Sequence, residues 1–189
     1  MLVQILRPFS YLAIRHTSKL PFYVNWLVPA IVSFVLVAFF SWGLRADFFS
    51  GNGLLSKLLG FLQSLPGFFI AALAAISTFN NPDMLKPMPG ETPTMKVLYG
   101  GGLEVVRLTR RRFLSSMFAY LTALSIFLTL GAIFGLAIAQ PLKDMLPSAI
   151  HEVVRLLAGS VFFLFVGQLV CITLWGLFYL GERIHTPDN

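Results

Sequence analysis

Charge is scarce in this sequence. Of 189 residues only 12% are Asp, Glu, Lys or Arg and 57% are hydrophobic, where soluble domains carry roughly 25% charged residues. A chain of this length has too little volume to bury so much apolar surface in water. A soluble fold, a disordered chain and a nucleic-acid module are therefore excluded as the main architecture. Cysteine is almost missing. Cys171 stands alone inside an apolar run, which excludes intrachain disulfides and cysteine-cluster metal sites. His16, His151 and His185 fall in three separate segments. "HEVVR" at His151–Arg155 opens like a zinc-protease motif, but Arg155 stands where the second histidine belongs. Gly100–Gly102 lack the Lys-Ser/Thr that completes a phosphate loop. With no catalytic constellation, neither an enzyme nor a cofactor is expected.

What is abundant is long apolar sequence. A membrane helix needs about 20 apolar residues, and four runs qualify: about 22–44, 58–79, 113–140 and 156–181. None has Asp, Glu, Lys, Arg or His in its interior, whereas proton-coupled transporters normally keep an ionisable group at membrane depth. A β-barrel would show alternating segments of about 10 residues, and none occur. The expected fold class is an all-α integral membrane protein, one domain over 1–189 with four transmembrane helices and a cytoplasmic loop at 80–112. An even number of spans places both termini and that loop on one side. Arg7, Arg15, Lys19, Lys86, Lys96, Arg107, Arg110, Arg111, Arg112 and Arg183 share it, ten basic residues against Arg45, Lys57, Lys143 and Arg155 opposite. The positive-inside bias makes both termini cytoplasmic in a bacterial inner membrane. No cleavable signal is needed, because the first apolar run is long and preceded by about 20 residues.

Residues 1–20 place Leu2, Ile5, Leu6, Phe9 and Leu12 on one helical face and Gln4, Arg7, Arg15 and Ser18 near the other. This pattern predicts an amphipathic interfacial helix that Pro8 kinks; the alternative is a plug under a pore. In the middle loop, Pro82, Pro87, Pro89, Gly90 and Pro93 forbid a regular helix. "TMKVLY" and "LEVVRL" around Gly100–Gly102 read as a hairpin, or "LEVVRLTRRRF" already belongs to the third helix. The helix is the expectation. Lys96, Arg107, Arg110, Arg111 and Arg112 are the candidate contact residues, for anionic lipids at about 1 kcal/mol per charge or for an acidic partner. On the other side, 45–57 is a polar turn, and Pro147 starts a helix through "SAIHEVVRLL".

Packing signals are clearer than chemical ones. Gly67, Ala71 and Ala75 recur every four residues, as do Gly131, Gly135 and Ala139 in continuation of Ser115, Ala119 and Ala123. Small residues at this spacing let helix backbones approach, within one chain or between copies. Gln63 and Gln168 are the candidates for interhelical hydrogen bonds; lining a pore is the other reading.

The segments "LPGFFIAALAAISTFNNPDM", "MPGETPT", "LTRRRFLSSMFAYLTALS" and "LWGLFYLGERIH" resemble small four-span membrane proteins of bacterial anti-phage defence, the Kiwa-type membrane subunit in particular. The resemblance implies a homo-oligomer, a tetramer, working with a cytoplasmic effector that does the nucleic-acid work; no direct nucleic-acid contact by this chain is expected. Two other functions stay open: a pore-forming channel effector that depolarises the membrane, gated by apolar constriction, and, weakest, a small transporter.

Overall fold

A computed structural model describes residues 2–16, 18–40, 53–78, 81–88, 92–99 and 102–183. Of the polar turn expected at 45–57, residues 45–52 lie outside the described residues and Leu54–Lys57 already belong to a helix; Pro89, Gly90, Gly100, Gly101 and His185 also lie outside. Four helices are long and apolar enough to cross a membrane: α1 (Leu20–Ala38), α2 (Leu54–Thr78), α3 (Arg110–Met145) and α4 (Ser148–Gly181). Between α2 and α3 stand two strands, β1 (Thr94–Tyr99) and β2 (Gly102–Arg107), paired antiparallel from Thr94↔Arg107 to Tyr99↔Gly102.

The strands correct two expectations. The chain is mostly helical and not all-α, and "LEVVRL" belongs to a hairpin, not to the third helix. β-Branched Val97, Val105 and Val106 favour the extended chain. The helix begins only at Thr109, whose hydroxyl accepts from the Arg112 N–H at 3.3 Å. Such an N-cap satisfies a donor that the first turn leaves over.

The amino-terminal segment also departs from a single amphipathic helix. One turn, Leu2–Ile5, gives way to a 3-10 turn at Arg7–Ala13. Pro8 has no N–H for the carbonyl of Gln4, four residues earlier, and so interrupts the α-helical ladder. Tyr11 and Ile14 are buried in the main core, with Phe9 and Leu12 against it. Ile5 and Leu6 stay exposed.

The helices pack in the order α2, α3, α4, α1. α2 buries Leu55, Leu62, Phe69 and Ile76, one residue every two turns, so its seam against α3 is narrow. The central helix α3 buries one broad face, through residues such as Phe113, Leu114, Met117 and Leu121. Beyond Ala132 it carries no fully buried side chain. Only 22–28% of the apolar window of each span is buried within one copy. Exposed Phe34, Phe68, Phe134, Leu157 and Leu174 therefore need lipid or another protein around them.

Where α1 crosses α4, small residues set the distance. A Cβ added to Gly167 would lie 3.3 Å from Pro29 Cα and 3.4 Å from its carbonyl oxygen. One turn along, the Ser33 hydroxyl donates to the Ser160 carbonyl at 2.9 Å. A Cβ added to Gly176 would meet the end of the Met117 side chain of α3.

Candidate functional site

The hairpin and the amino-terminal segment build one surface. Arg15 and Thr94 exchange both backbone hydrogen bonds, at 2.9 and 3.1 Å, so the chain before α1 joins the free edge of β1 through one antiparallel bridge. Residues directly opposite in an antiparallel pair share a face. Arg15, Thr94 and Arg107 therefore stand side by side across the sheet, and the next pair on that face is Lys96 opposite Val105. The other face carries Met95, which packs on the main core. The first face thus points away from the core: Arg15, Lys96 and Arg107 are exposed, grouped about Val105, which is 65% exposed.

The structure divides the five basic residues expected to act together. Lys96, Arg107 and Arg112 are exposed and Arg111 is half-buried, but Arg110 is only 2% exposed and is removed from the contact surface. Helical periodicity is the reason. Arg110 lies three, four and seven residues before Phe113, Leu114 and Met117 on the buried face of α3, whereas Arg112, about 200° further round, points outward. The Arg110 N–H donates to the Lys86 carbonyl at 3.1 Å, tying the start of α3 to the turn after α2. Arg15 takes the vacated place. Its distance of 79 residues from Thr94 in the chain hid it from sequence reading, which placed it on an amphipathic helix.

Beneath this surface runs a buried polar chain. Tyr11 donates to Asn25 Oδ1 at 3.4 Å, Gln168 Nε2 donates to the Asn25 carbonyl at 2.9 Å, and Tyr120 donates to Gln168 Oε1 at 2.7 Å. The Tyr11 and Tyr120 rings stack with centroids 5.3 Å apart. Proline explains why the Asn25 carbonyl needs this partner. Pro29 stands four residues later, where an ordinary helix would supply an N–H, and the backbone there forms a π-turn at Tyr23–Leu27. Since a carbonyl only accepts, it also fixes which end of the Gln168 amide faces it. Burial pushes the Tyr11 phenol above its ordinary range, the Asn25 hydrogen bond opposing this in part. It pushes His16, whose ring meets the edge of Phe113, below the usual histidine value.

The remaining candidates separate as clearly. Gln168 is 1% exposed and joins α4 to α1 and α3, while Gln63 is exposed and lies off the α2 seam. Gly67, Ala71 and Ala75 are all exposed, so this stripe serves no helix contact inside the chain; Leu62, Phe69 and Ile76 occupy the other side of α2. On α3, Gly131 is exposed, and Gly135 and Ala139 are half-buried, Gly135 lying near Leu55 of α2. The small residues that bring helices together are Gly167 and Gly176 on α4, which the four-residue rule passed over because they are nine apart. Among the described residues no group of three or more His, Cys, Asp and Glu side chains gathers to hold a metal.

Compared with known proteins, the chain matches no family model, no curated protein and no solved structure. The likeness to defence-system membrane subunits therefore rests on the quoted segments alone.

Proposed function

We propose that the protein is a homo-oligomeric anchoring subunit of a bacterial inner membrane, both termini cytoplasmic, which holds a soluble partner on its hairpin. The observation that carries this reading is the outward face on which Arg15, Lys96 and Arg107 surround exposed Val105. Cations around an apolar centre suit an acidic patch with a central hydrophobic contact: charge speeds encounter and orients it, and the desolvated centre supplies affinity. The ten-to-four distribution of basic residues supports the cytoplasmic placement of that face. In the reading that the sequence resemblance supplies, the partner is the effector of an anti-phage complex.

The test is native mass spectrometry of the tagged protein, co-expressed with its flanking genes and extracted gently. A stoichiometric soluble protein on a homo-oligomeric core is expected. The variant Arg15→Glu/Lys96→Glu/Arg107→Glu should weaken that partner at least ~10-fold, as like charges replace opposite ones, while the oligomer stays intact. Equal affinity would end the docking idea. A bare oligomer that conducts ions in liposomes would transfer the case to the channel.

The exposed α2 stripe supports self-association. Gly67, Ala71 and Ala75 offer a close-approach surface to a second copy, and exposed Gln63 gains a hydrogen-bonding neighbour there. Gly67→Leu/Ala71→Leu should shift the oligomer toward monomer with the melting temperature of the single chain little changed. An unaltered stoichiometry would place the interface elsewhere.

A further inference from the structure

At the end of the bundle remote from the hairpin, where the two residues Leu146 and Pro147 join α3 to α4, the two helices line an open groove of about 430 Å³. That volume falls within the ~300–1,000 Å³ of small-molecule sites. Its composition changes along its length. Gly135, Ile138 and Ala139 of α3 and Ala158 of α4 line the inner part, and Lys143, His151, Glu152 and Arg155 line the outer part. Lys143 lies eight residues beyond Gly135, roughly 12 Å along the helix axis, so charge stands at the helix end and the apolar wall runs inward. Three of the lining positions, Gly135, Ala139 and Ala158, carry at most a methyl group.

The polar rim is held in place. Arg155 Nη2 donates to Glu152 Oε1 at 2.6 Å, and His151 Nε2, 2.8 Å from the Leu146 carbonyl, donates to it. Lys143 is exposed at the rim. Two cations and one carboxylate leave a net positive mouth above an apolar trough.

We infer that this groove holds one glycerophospholipid per chain. Its phosphodiester sits at Lys143 and Arg155, and one acyl chain runs along Gly135 and Ala139. The order of the lining matches that of the lipid: the anionic group belongs at the membrane–water boundary, where the helix ends, and the hydrocarbon belongs deeper. A soluble anion would leave the apolar trough unfilled, and a hydrocarbon without a headgroup would not use the positive charge that Lys143 adds to the Arg155–Glu152 pair. The site rests on the reading of α3 and α4 as membrane spans. It gives the half-buried Ala139 a role beyond the contact that Gly135, one turn before it, makes with Leu55 of α2.

The experiment uses the full chain in dodecyl maltoside, titrated with phosphatidylglycerol and followed by native mass spectrometry, beside flotation with phosphatidylcholine–phosphatidylglycerol vesicles. One lipid per chain should survive the activation that strips detergent. Gly135→Leu/Ala139→Leu fills the trough and should abolish that adduct. Lys143→Ala, an exposed change that leaves folding alone, should weaken it ~5-fold, the equivalent of about 1 kcal/mol for one basic side chain at a lipid surface. Flotation of all three proteins with unchanged lipid retention would overturn the site alone. Failure of the wild-type chain to float would overturn the spanning reading and the site with it.

Discussion

Replacing Gln168 with Leu is expected to lower the melting temperature of the detergent-solubilised protein by ~3–6 °C. The substitution keeps volume near Gln168 but leaves the Asn25 carbonyl and the Tyr120 hydroxyl without the partners that hold them at 2.9 and 2.7 Å. A buried polar group left alone costs about 1–3 kcal/mol. Single hydrogen bonds inside membrane bundles average about 0.6 kcal/mol, which sets the lower end, and two are lost here. At ~2–4 °C per kcal/mol for a chain of this size, differential scanning fluorimetry resolves the effect. Gln63→Leu, at an exposed position, is the control and should move the midpoint within the noise of a surface change, about 0.5 kcal/mol.

A second substitution tests the cause. Pro29→Ala returns an N–H to the helix, which can then satisfy the Asn25 carbonyl from within α1. In that background Gln168→Leu should cost less than it does alone, and the difference is the coupling energy between the two positions. An identical cost in both backgrounds would mean that the proline-freed carbonyl is not what Gln168 serves.

The second large effect is expected at Gly167. The first carbon of any side chain there lies 3.3 Å from Pro29 Cα, and the obstacle is backbone, which cannot rotate aside. Gly167→Leu adds four carbons to this crossing and should cost ~1–3 kcal/mol by overpacking. It also pulls Gln168 and Ser160 away from α1 together, so the loss should exceed that of Gln168→Leu. Unfolding in mixed micelles measures it. Gly60→Leu, at an exposed glycine with nothing within 4 Å of an added Cβ, should leave the midpoint where it was. Gly176→Ala is the informative intermediate. Its added carbon meets the Met117 methyl group, 2.5 Å away in the unadjusted geometry, and a flexible thioether can turn aside. A penalty there as large as that of Gly167→Leu would contradict the distinction between backbone and side-chain obstacles.

Parts of the site were legible in the chain and parts were not. Gln168 stood out because an amide inside an uncharged apolar run must find a partner, but its partners did not. Asn25 is 143 residues away, and the need for it arises from a proline four positions later. The hairpin arms were visible in "TMKVLY" and "LEVVRL", yet the tract from Leu103 to Phe113 reads equally well as strand or helix until the Thr109 cap divides it. Arg110, Arg111 and Arg112 look alike in sequence; the 100° step of the helix buries the first and exposes the last. The stripe of Gly67, Ala71 and Ala75 is genuine as a pattern, but within one copy the opposite side of α2 makes the contact.

By itself the sequence determined the number of long apolar helices and their approximate limits. Transfer of a helix from water depends on the sum of its side chains, and that sum is read locally. Only the tertiary structure decided which face of each helix is buried, which amide is bonded and which arginine is exposed. When every face of a helix is apolar, hydrophobicity no longer distinguishes inside from outside. Shape and backbone hydrogen bonding then make the choice, and both depend on neighbours that the linear chain does not reveal.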